Sequence, residues 1–238
     1  MWSAFGVSQS EIASGELASS NQRAGISLPG GNFSLGYKQG MTGSRYRDRT
    51  RYRLMFSSVE ASEAERNTGR PGDALVEPAD VVMDRAFTLT APREAVWPWL
   101  VQLGKGRAGW YLPRAIERFL PSSRRAARSL NPAWLRLEAG DVVPDYGGRN
   151  EIFQVALITP PAALVYRSQR GRTSLTWSLV LEPADSEPGR TRVFLRLRMA
   201  PVRRKLLART AGELIDLLTV AGMAAGLAER LRGHDGAT

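Results

Sequence analysis

Between Trp134 and Met199 the chain alternates apolar, β-branched segments with very short turns, and this spacing constrains the fold more than any other feature. The segments are Trp134 to Leu137, Asp141 to Val143, Glu151 to Thr159, Ala163 to Ser168, Ser174 to Leu181 and Arg192 to Met199. Gly147-Gly148, Pro160-Pro161, Arg170-Gly171 and Pro188-Gly189 punctuate them with turn chemistry. Parallel neighbours need a crossover of about a dozen residues, so turns this short predict an antiparallel meander. In the last segment Val193, Leu195, Leu197 and Met199 alternate with Arg192, Phe194, Arg196 and Arg198. That pattern predicts one apolar face and one wet, largely cationic face.

Upstream, Val81 to Thr90 reads as a first strand, closed by Ala91-Pro92. Pro92 suits a first helical turn, and Val96, Trp97, Leu100, Val101 and Leu103 follow at helical spacing. Arg114 to Phe119 predicts a second short helix, with Arg124, Arg125 and Arg128 on a solvated face or in a basic loop before Asn131-Pro132. Downstream, Val202 to Arg232 holds no proline and repeats leucine, isoleucine and methionine at helical spacing. Such a helix would reach about 45 Å. Its Gly222 and Gly226 form a GxxxG pair, read here as a mark of close packing on the sheet.

Several function classes are closed by composition. The chain has no cysteine, which removes disulfides, thiolate catalysis and Cys-based metal sites. Its single histidine, His234, lies in the terminal tail, so histidine triads and two-histidine metal sites fail. No metal and no cofactor is therefore predicted. Gly104-Lys105-Gly106-Arg107-Ala108-Gly109 matches GxGxxG letter for letter, yet it follows a predicted helix rather than a strand, and Ser129 stands where an acidic partner would be needed. Dinucleotide binding is rejected on that context.

The net charge is +10, from 33 Lys+Arg against 23 Asp+Glu, and nearly all the cations are arginine. A basic balance bears on solubility and partners rather than fold. Residues 1–72 are rich in Ser, Gly, Asn and Arg without periodicity, and are predicted to be a disordered extension preceding a domain at 73–232, with 233–238 a disordered tail. Within the extension, Arg45, Arg47, Arg49, Arg51 and Arg53 alternate around Tyr46 and Tyr52, a pattern able to contact nucleic acid, although a start at Met55 would leave it untranslated. No signal peptide is recognised, and the longest uncharged apolar stretch, Leu217 to Ala228, is shorter than a membrane span of about 20 residues. The expectation is a cytoplasmic protein with neither a nucleic-acid nor a membrane partner.

The order of strand, two short helices, antiparallel meander and long C-terminal helix resembles the START-like or SRPBCC superfamily, also called polyketide cyclase/dehydrase and lipid transport, or Bet v 1-like. The match spans roughly residues 73–232. Ala91 to Gly104, Gly106 to Tyr111 and Leu137 to Pro144 are similar to an uncharacterised bacterial subfamily of it. The resemblance implies an α+β helix-grip fold, in which a curved sheet wraps the final helix and a cavity opens between them. It implies no reaction, because the superfamily includes carriers, receptors, aromatase/cyclases and co-chaperone domains.

A cavity of this kind suits a small hydrophobic molecule. Trp110, Tyr111, Trp134, Tyr166 and Trp177 are the candidate lining residues, being amphipathic rings able to pack a ligand and offer a hydrogen bond. Trp177 stands out because Leu175, Trp177, Leu179 and Leu181 share one strand face. A cyclase, dehydrase or hydrolase would need a proton donor or acceptor in the cavity, for which Asp145, Tyr146, Glu151, Tyr166 and Arg167 are the available groups. No spacing forces a pair of carboxylates together, so catalytic residues are not assigned and binding is preferred to catalysis. A basic interaction module for nucleic acid or an acidic partner is the third reading.

Overall fold

The computed structural model describes residues 59–148, 150–184 and 189–234. Six strands form one antiparallel sheet: β1 (Val81–Leu89), β2 (Val142–Pro144), β3 (Ile152–Thr159), β4 (Ala163–Arg170), β5 (Thr173–Pro183) and β6 (Thr191–Ala200). Their order is β1-β6-β5-β4-β3-β2, so the meander runs from β2 to β6, and β1 joins it beside β6 with Val81 opposite Met199 and Leu89 opposite Thr191. Three α-helices precede the meander: α1 (Glu63–Asn67), α2 (Arg93–Gln102) and α3 (Arg114–Glu117). After β6 come α4 (Lys205–Leu207), a π-helical stretch Ala208–Gly212, and α5 (Glu213–His234). This is the predicted α+β helix-grip arrangement.

The core follows from alternation. Leu175, Trp177, Leu179 and Leu181 of β5 and Val193, Leu195 and Leu197 of β6 join Val220, Met223, Leu227 and Leu231 of α5 in one buried cluster, which also takes in Val96, Trp99 and Leu100 of α2. Each large side chain so buried contributes about 1.5–3 kcal/mol. By length and composition the helical stretch Lys205–Gly233 would suffice to cross a membrane. Here its inner face is committed to the sheet, and it carries Asp216 and Arg230, both buried in ion pairs.

The outer face of the sheet corrects the expectation of a wet, cationic surface, and with it the predicted domain start at residue 73. Residues 59–72 pack across that face. Val59 is fully buried, its carbonyl accepting from Ala86 N at 3.0 Å, and Ala61 sits in a second small cluster with Ala86, Ala163, Val180 and Phe194. Ser62 and Glu65 form a reciprocal capping box at the start of α1. The arginines of β6 are paired here: Arg192 with Glu65 of this segment at 2.9 Å, and Arg196 with Asp73 at 2.8 Å and Asp84 of β1 at 2.6 Å, while the Arg66 and Thr68 carbonyls of the segment also accept from Arg196. Arg70 lies 3.9 Å over the Phe194 ring and binds Glu182 at 2.5 Å. Arg45 to Arg53 and the tail beyond residue 234 lie outside the described residues.

Two further expectations change. Trp134 to Leu137 is not a strand: Pro132–Trp134 forms a 3-10 turn, started by the Asn131 side chain, which accepts from Ala133 N at 3.0 Å. Gly222 and Gly226 do not face the sheet. A Cβ on Gly226 would stand 2.7–2.8 Å from backbone atoms of Leu112 and Tyr111, and one on Gly222 2.7 Å from the Leu112 side chain, so the glycines admit the segment entering α3. That segment is clasped by Arg230, whose guanidinium binds Glu117 at 2.7 Å and the Ala127, Gly226 and Leu112 carbonyls.

Candidate functional site

The inward faces of β3, β4 and β5 bring Phe153, Tyr166 and Trp177 together, and the segment after α2 lays Trp110 on them. Ring centroids lie 5.9 Å apart for Tyr166–Trp177, 6.0 Å for Trp110–Trp177 and 5.6 Å for Phe153–Tyr166, with the first two pairs stacked. Stacked and tilted rings at these separations attract beyond their buried area. Trp110 is fixed from behind by its Nε1, which donates to the Thr219 carbonyl of α5 at 3.3 Å.

These rings form the floor of a cleft whose walls are Leu103, Gly104 and Lys105 on one side and Val143 to Tyr146 on the other, with Leu197 beneath. About 490 Å³ of empty space lies between the walls out to the solvent mouth, but the room open to water-sized molecules is about 30 Å³. That accommodates about one or two waters, whereas small-molecule sites typically enclose about 300–1,000 Å³. In this conformation the cleft is narrow, and a larger guest requires its walls to part.

Both walls run into loops. Gly104 and Gly109 pair across a tight turn, with Gly104 at φ 140° and Gly109 at φ 83°, conformations that side chains disfavour. The GxGxxG string therefore forms the loop at one cleft wall. Opposite, Asp145 is buried and ion-paired with Arg170, and its carboxylate accepts from Gly147 N at 3.0 Å. Lys105 spans the mouth: its Nζ donates to the Gly148 carbonyl at 3.1 Å.

Tyr166 has the least satisfied polar group in the cleft. Its ring is buried and its hydroxyl has no hydrogen-bond partner among the described residues. Burial pushes its ionisation well above the ordinary tyrosine range, so it is a neutral donor and acceptor. At the mouth, burial and the nearby Asp145 carboxylate push Tyr146 up to about 12.

Of the five lining residues predicted from sequence, the fold brings Trp110, Tyr166 and Trp177 into the cleft. Tyr111 and Trp134 are not among its walls. The Tyr111 hydroxyl donates to the Trp99 carbonyl at 2.8 Å and accepts from Gln102 Nε2 at 3.1 Å, which makes it a joint between α2 and the segment entering α3. Trp134 is half-buried on its 3-10 turn, and its carbonyl accepts from Arg107. Of the possible proton-transfer groups, Asp145, Tyr146 and Tyr166 line the cleft. Glu151 is 3.6 Å from Arg170, and Arg167 is exposed and bonded to Gln154 at 2.9 Å. Phe153 and Lys105 were missed, although Phe153 and Val155 alternate with exposed or half-buried neighbours on β3 as core residues do.

No family model matches the chain, and no curated protein is significantly similar to it. Solved structures similar to it include a hypothetical protein from Helicobacter pylori, 13% identical at a TM-score of 0.43 over 68% of this chain and 95% of that one. CalU16 from Micromonospora echinospora is 15% identical at 0.35, over 65% and 83% of the two chains. DynU16, from the dynemicin biosynthetic locus, is 16% identical at 0.38, over 66% and 49%.

Proposed function

We propose that this protein binds a small, largely apolar molecule between the stacked aromatic rings and the two loops of the cleft, acting in the cytoplasm as a binding protein. The observation that carries the reading is the Tyr166 hydroxyl, buried without a partner at an aromatic-lined cleft. An unsatisfied buried hydroxyl costs about 1–3 kcal/mol, and native proteins keep such groups where a water, an ion or a ligand completes them. The surrounding rings supply flat apolar surface, and the loop walls supply a route for opening. Asp145, the one carboxylate among the described residues lining the cleft, is ion-paired with Arg170, so binding is preferred to catalysis.

The test is native mass spectrometry of the full chain purified from its own host, compared with a Trp177→Ala variant. A small molecule retained by the wild type and lost from the variant is the expected result. If the wild type carries nothing, and flat aromatic probes leave its tryptophan fluorescence unchanged, the reading fails.

A further inference from the structure

The mouth of the cleft has an electrostatic asymmetry that specifies the guest further. The chain has only three lysines, Lys38, Lys105 and Lys205, and uses arginine wherever the described residues show a buried ion pair. Lys105 lies in the cleft wall, half-buried, and the Gly148 carbonyl is its one hydrogen-bond partner among the described residues. Nearby, the Asp145 and Glu151 carboxylates both lie against Arg170. Lys105 is therefore the charge in the cleft lining with no opposite charge within 4 Å among the described residues, and it sits on a flexible stem at the edge of a flat apolar floor.

The Lys105–Gly148 bond also joins the two walls that must part for a guest to enter. A neutral carbonyl is a weaker partner for an ammonium than an anion is, since the anion adds the Coulomb attraction between two opposite charges. An entering anion would thus take over the ammonium as the loops separate, compensating the bond that opening breaks. An uncharged guest would break the same bond with no such replacement.

We infer that the cleft takes a flat apolar molecule bearing one anionic group, its rings on Trp177 and Tyr166 and its anion on Lys105 at the mouth. This rests on the binding function proposed above and adds the charge of the ligand.

Three probes with one ring system isolate that charge: 2-naphthoate, 2-naphthylmethanol and 2-naphthylmethylamine, titrated against the full chain by calorimetry. The anion is expected to bind at least about tenfold tighter than the alcohol, and the amine weakest. Lys105→Gln should bring anion and alcohol to within about twofold, while Lys105→Arg should retain the preference, which separates loss of charge from loss of fold. Equal binding of anion and alcohol by the wild type, or a preference that survives Lys105→Gln, overturns the assignment of the charge and leaves the binding function standing. If none of the probes binds, or Trp177→Ala leaves all three affinities unchanged, the aromatic cleft is not the site and both readings fall.

Discussion

Replacing Arg230 by methionine removes the group that ties α5 to the segment carrying α3. Its side chain is 0% exposed. It binds Glu117 Oε1 at 2.7 Å, the carbonyls of Ala127 at 2.8 Å, Gly226 at 2.9 Å and Leu112 at 3.2 Å, and lies 4.6 Å over the Tyr111 ring. Removing one partner of a buried pair typically costs about 3–5 kcal/mol, because the other charge stays buried. Two features decide where in that range the loss falls. Arg128 also holds Glu117, at 2.5 Å, so the carboxylate is not abandoned, which pulls the cost down. Against this, the Ala127 carbonyl loses its side-chain donor, at about 1–3 kcal/mol for an unsatisfied buried acceptor. The expected loss is about 3–4 kcal/mol, or a fall in Tm of roughly 6–16 °C for a domain of this size.

Urea unfolding followed by circular dichroism gives the comparison directly, provided the slope with denaturant is unchanged. Arg230→Lys should recover only part of the loss, since one ammonium cannot reproduce a fork that reaches a carboxylate and several carbonyls. A second substitution, Glu117→Gln on the Arg230→Met background, should cost less than it does alone, because the two groups act as a unit. A loss below about 1 kcal/mol for Arg230→Met would refute the reasoning: water would then be replacing the guanidinium, and the pair would count as a surface contact.

Three other outcomes are expected. Tyr166→Phe should stabilise the ligand-free protein by about 1 kcal/mol by removing an unpartnered buried hydroxyl, while weakening ligand binding; a destabilised variant would mean that the hydroxyl is already satisfied. Asp216 is pushed up to about 6 by burial, against the pull of Arg85, so the native state binds a proton that the unfolded chain releases. Its contribution to stability is greatest below about pH 4 and falls by about 3 kcal/mol as pH rises through 6. The stability difference between wild type and Asp216→Asn should follow that fall in denaturant titrations from pH 4 to 7, and a flat difference would count against it. Gly226→Ala should cost about 1–3 kcal/mol or more in thermal melts, because the new methyl meets the backbone of Tyr111 and Leu112 rather than a side chain that can move.

The sheet was legible because strand period and turn chemistry agree. Leu175, Trp177, Leu179 and Leu181 fall on one face whatever surrounds them, and they are buried as predicted. The N-terminal boundary was not legible from hydrophobic pattern, since residues 59–72 contribute only Val59 and Ala61 to the buried apolar set. What orders them is polar. Glu65 and Asp73 answer arginines more than a hundred positions away, and arginine hydrogen bonding holds the Glu65 carboxyl below its usual range. The local trace of that segment was the capping box, Ser62 followed three residues later by Glu65. In the cleft, an alternating strand pattern reports that Trp177 and Tyr166 point inward. It does not report which rings of the segment after α2 meet that face, as Trp110 does by stacking on Trp177, and which turn to a helix, as Tyr111 does against Trp99.

The same comparison changes what the net charge means. An alternating Arg192, Arg196 and Arg198 on a bare strand would be a cationic stripe able to meet phosphates, and a charge of +10 encourages that reading. In the folded chain Arg192 and Arg196 form ion pairs with Glu65, Asp73 and Asp84, and Arg198 donates to the Val76 carbonyl at 3.1 Å. A phosphate arriving at this face would have to displace carboxylates held within 3 Å and lift a segment anchored by the buried Val59. Binding there would therefore require partial unfolding, whereas the cleft needs only two loops to separate across one lysine–carbonyl bond. Opening the cleft is thus the smaller rearrangement of the two, and it would present apolar rings, the Tyr166 hydroxyl and the Lys105 ammonium together.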